Sequence, residues 1–107
     1  MGDNTTTVKG KTIMITPHST WNTDWTCAAD LGWETIKIHS IIFKGGDASD
    51  ALVIRNGAVD GPEIVNWVIA GGSEEQVFYG YGQTFTPYIE SDDCTGDDDC
   101  RIMINFV

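Results

Sequence analysis

Positive charge is what this sequence has least of. Six Lys and Arg stand against 16 Asp and Glu, a net charge of −10 over 107 residues. Nucleic-acid binding draws on clustered cations that neutralise phosphates, and none cluster here, so a direct nucleic-acid partner is not expected. Anionic membrane surfaces are disfavoured for the same reason. Long hydrophobic runs are also missing. Nothing approaches the roughly 18 consecutive apolar residues of a membrane-spanning helix. The segment Met1 to Thr16 has no apolar centre of the secretory-signal type, so none is expected there. Helical periodicity is scarce as well, because no ten-residue segment sustains a 3.6-residue apolar repeat. Cysteine is sparse and odd in number, with Cys27, Cys94 and Cys100. Three cysteines make no disulfide framework. Cys94 and Cys100 bracket an acidic segment and can approach each other across it. A bridge between them is therefore one reading, and two free thiols in a reducing compartment is the other.

What is present is strand chemistry. Residues 36–43, IKIHSIIF, alternate with period two. Ile36, Ile38, Ser40 and Ile42 fall on one face, and Lys37, His39, Ile41 and Phe43 on the other. This gives Ile41 and Phe43 to the face a soluble monomer would turn to water, which makes them candidate interface residues. A Gly/Asp/Ser turn leads into the β-branched run Ala51–Arg55, closed by the turn pair Asn56-Gly57. Further strands read as 11–16, about 24–28, 63–69, 76–81, 84–89 and 101–107, with turn signals about every ten residues. The predicted fold is all-β: a single antiparallel, jelly-roll-like β-sandwich of seven or eight short strands over residues 11–107. Residues 1–10, polar and aperiodic, read as a flexible N-terminal arm.

Catalytic signatures are absent from the pattern. There is no GxSxG, no cysteine in a basic setting, and no phosphate-binding lysine after the Gly-rich turns 45–47 and 71–73. His18 and His39 have no CxxC or HxxxH context, so zinc is not expected. The sharpest polar feature is ESDDCTGDDDC. Its carboxylates, Asp92, Asp93, Asp97, Asp98 and Asp99, are of the type that ligates calcium, though the spacing is not that of the helix–loop–helix motif. The plainer reading is a solvated acidic turn with no cofactor. The aromatic residues Trp67, Tyr79 and Tyr81 join Ile41 and Phe43 as interface candidates, with a sugar-stacking platform as the alternative use.

From Ile36 to Val107 the chain resembles small virion structural proteins of tailed phages and prophages. The pieces that carry the resemblance are IKIHSIIF, GGDASDALVIRNG, GPEIVNW, FTPYIE and RIMINFV. The segments 17–33 and 91–99 depart from the family pattern. The resemblance implies a non-enzymatic capsid decoration or accessory protein, located in the virion after synthesis in the host cytoplasm. Its partners would be a capsid or other virion protein and further copies of itself, with a trimer preferred. Two other readings remain open from the sequence: a carbohydrate- or receptor-binding module, with or without calcium, and a subunit of an extracellular filament.

Overall fold

The computed structural model describes residues 4–17, 24–46, 49–58, 60–70, 74–96 and 100–107. Nine strands form two antiparallel sheets. The first sheet contains β1 (Thr5–Lys9), β2 (Thr12–Thr16), β9 (Arg101–Phe106), β4 (Ile36–Lys44) and β7 (Glu75–Phe85), in that spatial order. The second contains β3 (Trp25–Thr26), β8 (Pro87–Ile89), β5 (Ala51–Asn56) and β6 (Glu63–Val68). From β2 onward only the β5–β6 connection stays within one sheet, and every other connection crosses between them. The four-strand orders β2-β9-β4-β7 and β3-β8-β5-β6 are the two interleaved Greek keys of a jelly roll. The sandwich expected from the strand spacing is therefore present, with one strand more than the seven or eight anticipated.

The extra strand is β1. Residues 5–9, expected as part of a flexible arm, pair with β2 from Thr5↔Thr16 to Lys9↔Thr12. A two-residue connection, Gly10-Lys11, makes this possible, with Gly10 at φ 61, where a side chain would be strained. Trp25 anchors β1 by donating its indole N–H to the Thr6 hydroxyl at 3.0 Å. The second departure is a short helix, α1 (Cys27–Leu31), in the region read as strand or loop. It is too short to show a period and is held by its ends. Thr26 caps it through the Ala29 N–H, Asp30 accepts from the Thr26 N–H, and Gly32 closes it at φ 75.

The core lies between the sheets. Ile13, Ile15, Ile102, Ile104, Ile36, Ile38, Ile41 and Phe43 come from the first sheet, and Leu52, Ile54, Val65 and Ile89 from the second. Ile41 and Phe43 are therefore core residues, not the solvent-facing pair that strict alternation assigns. The reason is a bulge. Ile38 pairs with Phe106 while Ser40 pairs with Asn105, so β4 spends one extra residue against β9. On its other side β7 spends two extra, since Ile38 pairs with Gln83 and Ser40 with Tyr79. The inserted residue reverses the phase of β4: Ile36 and Ile38 point inward before it, Ile41 and Phe43 after it. Trp67 likewise turns inward, and its ring lies parallel to that of Phe43 with centroids 6.3 Å apart.

Candidate interaction surface

No cavity opens among the described residues. The outward sides of the two sheets differ sharply in character.

The outward side of the five-stranded sheet carries an apolar row set by register. Met14 pairs with Met103, Met103 with Ile42, and Ile42 with Val77. Ile42 reaches this side because of the bulge that sends Ile41 and Phe43 inward. One step along the strands lies a polar row of Thr12, Asn105, Ser40 and Tyr79. The Thr12 hydroxyl bonds the Asn105 amide oxygen at 2.7 Å, and the Asn105 amide donates to the Ser40 hydroxyl at 3.0 Å. At the β7 edge Val77, Tyr79 and Tyr81 are 42%, 59% and 84% exposed. The two tyrosine rings tilt at 39° with centroids 6.4 Å apart. Of the five interface candidates, then, Tyr79 and Tyr81 lie on the surface, while Ile41, Phe43 and Trp67 pack inside.

Charge is segregated with the same sharpness. Lys9, Lys37, Lys44 and Arg101 are exposed on the strands of this sheet, and Lys11 is exposed in the turn between β1 and β2. These are five of the six cations in the chain. The sheet's strands contain a single acid, Glu75, placed opposite Lys44.

The outward side of the four-stranded sheet is the reverse. Its one cation, Arg55, is engaged by Glu63 at 3.6 Å and Asp93 at 3.4 Å. Asp24 accepts from the Ser91 N–H at 2.8 Å, the Tyr88 phenol at 2.8 Å and the Ser91 hydroxyl at 3.1 Å. The Ser91 N–H does most to hold the Asp24 carboxyl below its usual range. Partial desolvation, then the neighbouring carboxylates of Asp93, Asp24 and Asp92, push Glu90 above its own, with Arg55 opposing. The calcium reading therefore divides. Asp93 is committed to Arg55, Asp92 is exposed, and Asp97, Asp98 and Asp99 lie outside the described residues. Among the described residues no three His, Cys, Asp or Glu side chains converge as a metal site would require. His18 also lies outside them.

The Cys94–Cys100 bridge is not formed: no disulfide joins Cys27, Cys94 or Cys100. Cys100 sits in the core with its sulfur 3.1 Å from the Asp50 carboxylate, whereas the Cys94 thiol reaches the Val53 carbonyl at 3.9 Å. Asp50, itself buried, also accepts from the Gly46 N–H at 2.9 Å. It thus joins the turn after β4 to the start of β9. Burial pushes the Cys94 thiol up to about 11.

Comparison with protein-family models, with curated proteins and with solved structures returns no match to this chain.

Proposed function

We propose that this chain is a non-enzymatic structural subunit of a virion, a capsid decoration protein that associates with its own copies and with the shell. The observation that carries this reading is the outward side of the five-stranded sheet. There an apolar row, Met14–Met103–Ile42–Val77, crosses the sheet and ends beside two exposed tyrosines. Apolar rows of this kind, rimmed by polar groups, mark contact surfaces, and tyrosine is enriched at their centres. Jelly rolls serve as capsid domains, lectins and cupins alike. The fold alone therefore does not choose among them; the apolar row is what supports the capsid reading. The phage-type strand and turn motifs from Ile36 onward point in the same direction.

The test is solution mass by light scattering after size exclusion, with and without a chelator. The expected result is a mass above that of the single chain, unaffected by chelation and reduced to one chain by Val77→Lys. A single chain at the highest concentration reached would overturn the reading. One observation favours a second use: the Tyr79–Tyr81 pair presents two ring faces of the sort on which sugars stack. Glycan binding lost in Tyr81→Ala would move the assignment to a carbohydrate-binding module.

A further inference from the structure

The two outward faces are complementary to each other. One carries Lys9, Lys37, Lys44 and Arg101 around an apolar row. The other carries Asp24, Glu63, Asp92 and Asp93 around a single neutralised arginine, together with Ala51 and the 64%-exposed Val68, which stand opposite each other across β5 and β6. In a chain of net charge −10, random approach of two copies is repulsive. Symmetric pairing of two five-stranded faces sets cations against cations, and pairing of two four-stranded faces sets carboxylates against carboxylates. Like-charge juxtaposition of this kind selects against a partner or an orientation. Only the unlike pairing brings opposite charges together while covering the Met14–Val77 row.

We infer that copies of this chain associate head-to-tail, the outward side of the five-stranded sheet of one copy docking on the acidic outward side of the four-stranded sheet of the next. This rests on the reading of the five-stranded face as a contact surface, and it adds the identity and orientation of the occupant. The contact is heterologous, so one basic, apolar face and one acidic face stay free at the two ends of every assembly. The two faces lie on opposite sides of the sandwich. Repetition therefore builds an open stack in place of the closed trimer that the family resemblance implies. A terminal copy keeps its basic, apolar face available for the shell.

The experiment uses two variants of the full chain, checked for folding by circular dichroism. Lys44→Glu/Arg101→Glu spoils the basic face and leaves the acidic one, and Glu90→Lys/Asp92→Lys does the reverse. All four residues lie outside the core. Each variant alone is expected to run as a single chain. Mixed, the two are expected to form a 1:1 pair and nothing larger, because each supplies the face the other lacks. Wild-type assembly is expected to weaken by about tenfold or more when ionic strength rises from about 0.1 M to about 1 M, which shortens the screening length from about 10 Å to about 3 Å. If only the basic-face variant dissociates, or if the mixture forms no pair, head-to-tail docking is overturned while the contact face stands. If both variants keep the wild-type mass, or if the wild type is itself a single chain, the contact face falls with it.

Discussion

Asp24 shows how single residues hold this molecule's loops. One carboxylate on the segment before β3 takes three hydrogen bonds from Tyr88 and Ser91, more than sixty residues away. Its depressed ionisation makes this contribution pH-dependent in a fixed direction. It is present above pH 3.8, the ordinary carboxylate value, and is lost as pH falls through the lower value in the folded state. In chemical denaturation, Asp24→Asn is therefore expected to cost about 1 kcal/mol at neutral pH. The deficit should close below pH 3.8, and a deficit that persists in acid would contradict the assignment. The cysteines give a second residue-scale test. Thiol titration in denaturant without reductant is expected to count three, from Cys27, Cys94 and Cys100, whereas a bridge would leave one. At pH 8 in the native state, Cys94 is expected to react slowly, since burial keeps it a thiol. The sequence shows the carboxylates between Glu90 and Asp99 but not their partners. Arg55 lies 38 residues from Asp93, and only the contact of β5 with the turn Ser91–Asp93 in the folded sandwich brings them together.

At the scale of elements, the bulge between β4 and β7 decides which side chains are inside. Its mechanics are visible at two glycines. A Cβ at Gly80 would stand 2.4 Å from the Ile38 carbonyl oxygen, so no side chain fits without moving backbone. At Gly82 the space is open, with Val107 3.9 Å away, but φ is 76. Tyr81, beside it, already accepts φ 53. Gly82→Ala is accordingly expected to cost about 1 kcal/mol from backbone strain alone, and Gly80→Ala clearly more, about 2–3 kcal/mol. Equal costs would contradict this account of the bulge. The neighbours Ile41 and Ile42 supply the matching core test. Ile41→Ala is expected to cost about 2–5 kcal/mol because it opens a hole between the sheets, and Ile42→Ala distinctly less. The period-two pattern identified β4 as a strand without revealing this phase change. The signal lies in the partner, in the Gly80-Tyr81-Gly82 run, and acts only through pairing. Most of the other strands were legible because Gly, Pro and Asn punctuate β-branched runs. β1 was missed because Thr5–Lys9 holds a single apolar residue, Val8, too few to show alternation, so its strand character comes from the Gly10-Lys11 hairpin and the Trp25 anchor. The helix at Cys27–Leu31 was missed because capping, not periodicity, defines it.

At the scale of the whole molecule, the β-sandwich was foreseeable from strand count and spacing, but the sorting of charge between its two faces was not. Lysines at 9, 37 and 44 and the arginine at 101 are scattered in sequence and meet only because β1, β4 and β9 share a sheet. The same sheet order lines up Met14, Met103, Ile42 and Val77 from four separate strands. The central claim is that this outward side is covered when copies assemble. Met14, 37% exposed at one end of the apolar row, reports on it directly. The measurement is its rate of oxidation by hydrogen peroxide, followed by peptide mass spectrometry across a range of protein concentrations. The account predicts that Met14 oxidation slows as concentration rises through assembly, and that it recovers the dilute rate in Lys44→Glu/Arg101→Glu. An oxidation rate that does not change with concentration would contradict it.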